Sequence, residues 1–275
     1  MTDRYAVVGN PIAHSKSPEI HAAFARQTGH DIDYARLLAP LGGFRSTVQS
    51  FREAGGKGVN VTVPFKLEAF DLADDVSQRA KDAEAANFLR FDNGRIHADN
   101  TDGVGLTRDI VQNLGFGLAG KRVLLMGAGG AAQGVLTPLL EHEPSILTIA
   151  NRTVEKALRL AERFRHKPVA AASVLCGLQF GELAGHHFDL VINATSSSLQ
   201  GELPPLPADA FAIGALGYDM MYGVTPTPFL AFAAAHGARI SDGLGMLVEQ
   251  AAESFLLWRG VRPQTAPVIA LLRNP

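Results

Sequence analysis

The sequence predicts an α/β fold in two halves, each with a mostly parallel sheet. Short apolar segments alternate with amphipathic segments along most of the chain, and the loops between them are short, as strand–helix alternation requires. A glycine-rich turn directly follows a buried apolar run near the middle of the chain. The length of 275 residues suits one or two domains with ample core. We therefore expect a ligand at the carboxyl ends of the strands, in a cleft between the halves.

The overall composition argues against several classes of function. The net charge is −2 and charged residues make up 19% of the chain, so no basic excess indicates binding to nucleic acid or to an anionic membrane. The single cysteine, Cys176, excludes an intrachain disulfide and fits a reducing cytosol. No long apolar run follows the start of the chain, so we expect no signal peptide. The longest apolar stretch contains several glycines, Gln133, Thr137 and Pro138, which argue against a membrane span. His186 and His187 have no companion at metal-ligand spacing, so we expect no metal site.

The first half of the chain shows strands and helices in alternation. Ser17 suits the N-cap of a helix and Pro18 its first helical position, while Gly29 ends that helix. Glycines break the helical pattern at residues 55–58. The predicted elements are a strand at residues 5–9, a helix at 17–28, a strand at 32–38 and a helix at 41–54.

A strand with one polar face comes next, at residues 59–63. Asn60 and Thr62 lie on one face of this strand, and three valines lie on the other. Pro64 ends the strand, and a helix is predicted from residue 65 to about residue 73. Lys66 therefore lies at a helix N-terminus.

Two further elements complete the first half. A β-hairpin is predicted over residues 87–98, with its turn at Asp92-Asn93-Gly94. The segment Asp99-Asn100-Thr101-Asp102-Gly103 then opens a helix that leads into the second half.

The second half is organised around a glycine-rich motif. Residues 123–126 are apolar and typical of a buried parallel strand. The next six residues, Gly127-Ala128-Gly129-Gly130-Ala131-Ala132, fit the pattern G-x-G-x-x-A, which lets the backbone approach a pyrophosphate closely. A helix at about residues 131–140 and a strand at 146–150 give this motif the context of a Rossmann-like dinucleotide site, with the pyrophosphate at the helix N-terminus. A purely structural turn is the alternative.

The residues after the second strand of this motif select the cofactor. Many NAD-binding proteins place an acidic residue about 20 positions beyond the motif to bond the ribose 2′-hydroxyl. This chain has Asn151-Arg152-Thr153 there, with Lys156 close by. A guanidinium can hold a 2′-phosphate that a carboxylate would repel, so the sequence favours NADP. The alternative is that Arg152 caps a solvated loop.

The remaining elements complete an α/β half and a helical tail. Strands are predicted at residues 190–192 and 213–218, helices at 227–236 and from the glycine turn at 242–246 to about residue 260. We expect one domain to comprise residues 1–103 and 241–275 and to bind the substrate. Residues 104–240 are expected to form the NADP-binding domain.

A set of polar residues points to one small, oxygen-rich substrate. Each member also has a structural explanation: Ser17 as a helix cap, Asp102 as a turn residue, and Asn60 with Thr62 as a solvated strand face. The set comprises Ser15, Ser17, Asn60, Thr62, Lys66, Asn87 and Asp102.

The chain resembles the shikimate dehydrogenase family in seven blocks that occur in family order over nearly its whole length. These blocks are GNPIAHSKSP (9–18), NVTVPFK (60–66), DNTDG (99–103), GAGGAA (127–132), NRT (151–153), NATSS (193–197) and DGLGM (242–246). The resemblance implies a two-domain enzyme that uses NADPH to reduce 3-dehydroshikimate to shikimate, reversibly, on the route to chorismate and the aromatic amino acids.

The resemblance also implies roles for individual residues. Lys66 and Asp102 are the implied catalytic pair: Lys66 donates a proton to the ketone oxygen, or stabilises its charge, and Asp102 holds the ammonium. The implied substrate residues, whose serines hold the carboxylate with Tyr222 nearby, are Ser15, Ser17, Thr62, Asn87, Asp102, Tyr222 and Gln250. The implied cofactor residues are Gly127, Ala128, Gly129, Gly130, Ala131, Asn151, Arg152, Thr153, Lys156, Thr195, Ser196, Met220 and Gly243.

Three positions depart from the family pattern. Phe88 occupies the place of a threonine beside the substrate, which puts the shape of that wall in question. Ser198 stands where a glycine is common. Lys156 stands where arginine is frequent, which keeps the charge but loses bidentate geometry.

Three other functions compete with this interpretation. One is a relative that uses quinate or that accepts either NAD or NADP. Another is a folate-linked dehydrogenase on the same plan, and a third is a non-catalytic nucleotide sensor. The small-molecule substrate is the expected partner, and the sequence leaves monomer and homodimer open.

Overall fold

The computed structural model of the chain describes residues 2–195, 197 and 201–273. The chain divides into two compact units. The first unit comprises the residues up to Gly105 together with those from Leu247 onward, and the second comprises Leu106–Met246. Each unit contains helices and its own six-stranded sheet, which confirms the predicted α/β fold class.

Strands and helices alternate along most of the described chain. The strands are β1 (Asp3–Gly9), β2 (Ile32–Leu38), β3 (Gly56–Val61), β4 (Asp75–Val76), β5 (Phe88–Asp92), β6 (Arg95–Asp99), β7 (Arg122–Met126), β8 (Ile146–Ala150), β9 (Val174–Leu178), β10 (Phe188–Asn193), β11 (Phe211–Asp219) and β12 (Arg239–Ser241). The α-helices are α1 (Ser17–Thr28), α2 (Phe44–Glu53), α3 (Lys66–Leu72), α4 (Gln78–Ala83), α5 (Asp102–Arg108), α6 (Gly130–Leu140), α7 (Val154–Arg165), α8 (Pro228–Ala235), α9 (Leu244–Arg259) and α10 (Ala266–Arg273). None of these helices has the length and apolar character that a membrane span requires.

The sheet of the first unit is mixed, with the strand order β2-β1-β3-β5-β6-β4. Strands β2, β1 and β3 are parallel, as are β4 and β6, whereas β5 runs antiparallel to both of its neighbours. β5 and β6 form the predicted hairpin. Asn93 and Gly94 join them with φ of 48° and 80°, the left-handed values that a two-residue turn between twisted strands requires.

Apolar side chains cover both faces of this sheet, because alternate residues of a strand point to opposite faces. On one face, Val8 of β1 belongs to a cluster with Phe44 and Phe65. On the other face, Tyr5 of β1 packs against Trp258 of α9, with ring centroids 4.5 Å apart. A second cluster joins α1 to α9 and α10.

The sheet of the second unit is parallel throughout, with the order β12-β11-β10-β7-β8-β9. Counted from β7, this order is 3-2-1-4-5-6 when read from β9, which is the order of a doubly wound dinucleotide fold. The order reverses between β7 and β10, so their carboxyl ends form a crevice where such folds bind ligands. The Rossmann-like half predicted from the glycine motif is therefore present.

Two local predictions were wrong. The glycines do end the helical pattern, since α2 ends at Glu53, but the next strand begins at Gly56 and not at residue 59 as predicted. Ser17 is the first residue of α1 and not its N-cap, a position that Lys16 takes without a side-chain capping bond. Pro18 lies in the first turn as predicted, and Gly29 ends the helix with φ of 69°.

The packing around Gly58 explains why β3 contains a glycine at this position. The indole Nε1 of Trp258 donates a hydrogen bond to the Leu89 carbonyl at 3.2 Å, directly over Gly58. A Cβ on Gly58 would overlap the Trp258 ring and would lie 2.5 Å from the Leu89 carbonyl oxygen. Trp258 of α9 can therefore pack on β3 at this point only because residue 58 has no side chain.

We expect Gly58→Ala to destabilise the protein by about 2 kcal/mol or more, because backbone and a buried indole must both shift. Chemical denaturation measures the effect. Gly117→Ala is the control, since an added Cβ there meets nothing within 4 Å. Equal stability of both variants and the wild type would contradict this account of the packing.

Candidate active site

Lys66 and Asp102 form an ion pair in the first unit. Lys66 is the first residue of α3 and Asp102 is the first residue of α5. The Lys66 ammonium lies 2.5 Å from Asp102 Oδ2, and the two side chains are 32% and 15% exposed. The Nδ2 atom of Asn87 donates to the other carboxylate oxygen at 2.8 Å. The pair is therefore fixed from one side while the ammonium remains accessible.

The Asn87 amide links Asp102 to its surroundings. Its Oδ1 atom accepts a hydrogen bond from the Thr101 backbone N–H at 2.8 Å. Its Nδ2 atom also lies 3.4 Å from Gln250 Oε1. Asn87 is 3% exposed, so its amide has exchanged water for these partners. The predicted residues Lys66, Asn87, Asp102 and Gln250 thus meet in one place.

A second buried amide, Asn60 of β3, lies next to the first. Its Nδ2 atom donates to Ser254 Oγ at 2.9 Å and to the Asn87 carbonyl at 3.2 Å. Its Oδ1 atom accepts from the Tyr34 hydroxyl at 2.7 Å. Asn60 was expected on a polar strand face, and the structure gives that face a defined set of partners.

Ser15 and Ser17 also lie together. Their hydroxyl oxygens are 3.2 Å apart, and the Ser17 backbone N–H donates to Ser15 Oγ at 3.3 Å. Thr62 follows β3, and its backbone N–H donates to the Val8 carbonyl at 2.9 Å. The methyl group of Thr62 packs so closely on β1 that a Cβ on Gly9 would lie 2.5 Å from it. These residues therefore line the carboxyl ends of neighbouring parallel strands.

His21 packs against this group of polar residues through the ring of Tyr34. Its ring is fully buried and stacks on the Tyr34 ring with centroids 4.2 Å apart. Burial lowers the pKa of His21 from 6.5 to about 3, which outweighs the opposing effect of the nearby Asn60 amide. His21 is therefore a neutral, structural histidine.

Phe88, the departure from the family pattern, is buried in the same unit. Its ring packs against Trp258 with centroids 5.0 Å apart. Its backbone pairs with Asn60 and Asp99 in the sheet. The aromatic side chain thus contributes to the packing of α9 on the sheet.

The dinucleotide motif of the second unit has the geometry of an anion site. Gly127 has φ of 106°, which only glycine adopts readily. Gly129 precedes α6, and Gly130 is the first residue of that helix. A Cβ on either residue would meet nothing within 4 Å, so open space lies in front of the helix N-terminus. Free backbone N–H groups and the helix dipole at this position fit a pyrophosphate.

Several predicted cofactor residues lie around this motif. A Cβ on Gly127 would lie 3.3 Å from Thr195 Cγ2. The Met220 backbone N–H donates to the Asn193 carbonyl at 3.0 Å, and Gly243 packs directly on Met220. Ser196, and with it Ser198, lies outside the described residues.

A cavity of about 190 Å³ adjoins the motif and α7. Three cationic side chains on α7 line it, and Arg152 lies just before this helix with its side chain exposed. Asn151 fixes the preceding loop by donating to the Thr153 carbonyl at 2.9 Å. Positive charge at the end of β8 suits a 2′-phosphate. The lining residues are Ala128, Gln133, Lys156, Arg159, Leu160 and Arg163.

Tyr222 lies in the second unit, shortly after β11, whereas the other predicted substrate residues lie in the first. Its side chain is 38% exposed, and partial burial raises the pKa of its hydroxyl above the usual 10.

Sequence reasoning missed several polar neighbours of the site. Ser254 follows Gln250 by one helical turn, a spacing that could have revealed it. Thr101 lies inside the DNTDG block directly before Asp102, which was predicted as a site residue. Tyr34 and Arg36 of β2 carried no motif signal, because their importance depends on which strand pairs with β1.

Models of three protein domains match the chain. They are described as a shikimate dehydrogenase substrate binding domain over residues 7–89, a shikimate / quinate 5-dehydrogenase over residues 109–200, and a shikimate 5′-dehydrogenase C-terminal domain over residues 243–273. A shikimate dehydrogenase (NADP(+)) of Janthinobacterium sp. (strain Marseille) is 60% identical over 273 residues, which is 99% of this chain and 98% of the relative. The chain belongs to the shikimate dehydrogenase family.

Solved structures agree with this membership of the shikimate dehydrogenase family. An Ael1 enzyme from Pseudomonas putida superposes with a TM-score of 0.94 at 51% identity, over 100% of this chain and 99% of that one. A shikimate 5-dehydrogenase from Thermus thermophilus, in complex with NADP(H) and shikimate, has a TM-score of 0.86 at 32% identity over 99% of both chains. The resemblance stated from the sequence is confirmed.

We expect the buried His21 to make stability depend on pH. The folded chain keeps this imidazole neutral, whereas the unfolded chain takes up a proton near the usual pKa of 6.5, so stability falls as the pH drops below 6.5. The loss between pH 7.5 and pH 5.5 amounts to about 1.4 kcal/mol for this one group.

Denaturation followed by the fluorescence of Trp258, the single tryptophan, measures this loss in the first unit. His21→Phe keeps an aromatic ring and is expected to show a pH dependence that is smaller by this amount. His14→Phe, at an exposed histidine, is expected to leave the dependence as in the wild type. An unchanged pH dependence in His21→Phe would show that His21 titrates normally.

Proposed function

We propose that this chain is an NADP-dependent shikimate dehydrogenase, which catalyses the reversible NADPH-dependent reduction of 3-dehydroshikimate to shikimate. The step belongs to the formation of chorismate and the aromatic amino acids. The observation that carries the proposal is the Lys66–Asp102 pair, fixed by Asn87 at 2.8 Å, in a chain 60% identical over its length to enzymes of that name. A dehydrogenase with quinate or NAD activity is the second candidate, because the matching model of the second unit covers shikimate and quinate enzymes alike.

The substrate is proposed to bind in the first unit among hydroxyl and amide groups. Shikimate carries a carboxylate and several hydroxyls, which match a small set of convergent, already oriented polar groups. In this proposal, the Ser15 and Ser17 hydroxyls hold the carboxylate and Tyr222 assists. Thr62, Asn87 and Gln250 bond the ring hydroxyls.

Lys66 is proposed as the acid–base group. In the reduction, its ammonium donates a proton to the ketone oxygen as charge develops there, and in the oxidation it accepts the proton back. Asp102 keeps the ammonium in place through its 2.5 Å contact and can accept a bond from a neighbouring substrate hydroxyl. NADP, when bound, supplies the two-electron redox chemistry at its nicotinamide ring.

The residues of the second unit fit NADP. We propose that the first turn of α6 binds the pyrophosphate and that Arg152 with Lys156 binds the 2′-phosphate. Thr195 follows β10, Met220 follows β11 and Gly243 follows β12, so all three come after the carboxyl ends of parallel strands, where folds of this kind bind ligands. The remaining proposed contacts are Gly127, Ala128, Gly129, Gly130, Ala131, Asn151, Thr153 and Ser196.

The two compact units are proposed to divide the work, the first binding the substrate and the second the cofactor. The single cysteine supports a reducing compartment, and we propose the cytoplasm as the location. Monomer and homodimer are both compatible with this function.

We expect Lys66→Met to lower kcat by about 10²–10⁴-fold, the usual contribution of a positioned acid–base group. Binding of NADPH, measured by the change in its fluorescence, is expected to stay as in the wild type. Lys57→Met provides the control, because Lys57 is an exposed lysine of β3. A Lys66→Met variant with an unchanged kcat would show that Lys66 is not the acid–base group.

Initial rates with shikimate and quinate, each with NADP and NAD, test the proposed function directly. We expect turnover with shikimate and NADP only. Arg152→Ala is then expected to lower kcat/KM for NADP by about 10–100-fold and to weaken binding of 2′,5′-ADP, because a charge-assisted phosphate contact is lost. Arg165→Ala, near the far end of α7, is the control.

Turnover of wild type with quinate or NAD would instead support the broader relative. An absence of turnover with every pair would support a nucleotide-sensing protein. An unchanged preference for NADP in Arg152→Ala would assign the 2′-phosphate to other cations.

A further inference from the structure

The loop that carries Ser15 and Ser17 rests on the edge strand β2. β2 pairs with β1 in parallel register, which places Tyr34 opposite Tyr5 and Arg36 opposite Val7. Tyr34 and Arg36 are two residues apart, so their side chains leave the same face of the strand. Both reach the serine loop, but at different points.

Arg36 holds the backbone of this loop. Its Nε and Nη2 atoms donate to the Ser15 carbonyl at 2.9 and 2.5 Å. Its Nη2 atom also donates to both carboxylate oxygens of Glu19, at 2.8 and 3.0 Å. A guanidinium forms such a fork with little loss of entropy per bond, because its donors are fixed in one plane. The orientation of Ser15 therefore depends on a cation that lies directly beneath it.

Tyr34 lies next to the other serine. Its hydroxyl donates to Asn60 Oδ1 at 2.7 Å and lies close to the Ser17 side chain. Burial raises the pKa of this hydroxyl well above its usual 10, so it stays protonated and remains a donor. The His21 ring, stacked 4.2 Å away, prevents the phenol from turning. Ser17 thereby neighbours a fixed phenol that is bonded to Asn60 of the proposed substrate site.

We propose that Arg36 and Tyr34 are positioning residues for recognition of the substrate carboxylate, and that Arg36 also supplies the positive field that attracts it. The proposal rests on the proposed function, in which Ser15 and Ser17 bind that carboxylate. Two neutral hydroxyls are weak donors to an anion, and they gain strength when their geometry is fixed and a cation lies nearby. Glu19 neutralises part of the Arg36 charge and so tunes this field.

A purely structural role for Arg36 predicts different behaviour. The Arg36–Glu19 pair is 33% and 50% exposed, and exposed pairs stabilise proteins little. If the pair only ties α1 to β2, removal of either partner gives the same small loss of stability and no selective change in KM. If Arg36 serves the carboxylate, removal of the arginine and of the glutamate changes KM in opposite directions.

The first test compares Arg36→Met with the wild type in both reaction directions. We expect KM for shikimate and for 3-dehydroshikimate to rise about tenfold, with kcat within about twofold and KM for NADP unchanged, because a distant anchor binds ground and transition states alike. Arg36→Lys keeps the charge without the fork and is expected to restore part of the affinity. Glu19→Gln is expected to lower KM slightly, and Arg45→Met, at an exposed position of α2, is expected to leave it unchanged.

Ionic strength and a neutral substrate separate charge from geometry. Added salt is expected to raise KM for shikimate more in the wild type than in Arg36→Met, since screening weakens only the charged interaction. With the uncharged methyl ester of shikimate, the difference in KM between these two enzymes is expected to shrink to the part that the orientation of Ser15 contributes. Tyr34→Phe keeps the stacked ring and is expected to raise KM about threefold to tenfold through loss of one hydrogen bond, with kcat retained.

The proposal fails if Arg36→Met and Glu19→Gln behave alike, or if kcat falls while KM stays constant. It also fails if salt affects the wild type and Arg36→Met equally. These outcomes are distinct from failure of the proposed function, which would appear as absence of shikimate turnover in the wild type itself.

Discussion

The buried amide of Asn87 is the constraint on which the candidate site depends. A primary amide without water is costly unless its donors and acceptor are used, and Asn87 uses them on Thr101, Asp102 and Gln250. Because these partners come from two distant parts of the chain, the amide is satisfied only when the first unit is correctly assembled. The position of the carboxylate that holds Lys66 is therefore a consequence of folding and not of local sequence.

Helix α9 contributes the side chains that hold this amide and its neighbours in the sheet. Gln250, Ser254 and Trp258 are spaced by four residues and so form one stripe. Gln250 meets Asn87, Ser254 meets Asn60, and Trp258 covers Gly58 and Phe88. One face of one helix thus holds two buried amides in place, Asn60 in β3 and Asn87 just before β5. The aromatic contact of Trp258 and the hydrogen bond of Gln250 therefore belong to the same face of α9.

Much of this could be predicted from the sequence, where local chemistry decides the outcome. The Asn93-Gly94 turn, the glycine motif of α6 and the strand at residues 146–150 follow from residue types at fixed spacings. The short strands β4 and β12 could not be predicted, because two or three residues become a strand only through a neighbour. The same reason hid the glycines of β3: Gly56 and Gly58 look like a break until Phe51 and Trp258 are seen to occupy the space of their side chains. Tyr34 and Arg36 escaped notice because only the pairing of β2 with β1 brings them to the serine loop.

The proposed contacts with anions differ between the two units. In the second unit, Arg152 and Lys156 remain exposed, and a multiply charged phosphate can compensate for the water that they lose. In the first unit, a single carboxylate could not compensate for the burial of a bare cation. There the proposed direct contacts are neutral hydroxyls, and the guanidinium of Arg36 acts from behind the backbone with Glu19 at its other side. This arrangement keeps the desolvation cost low while the field of the cation still reaches the anion, because half-buried charges are screened less than exposed ones.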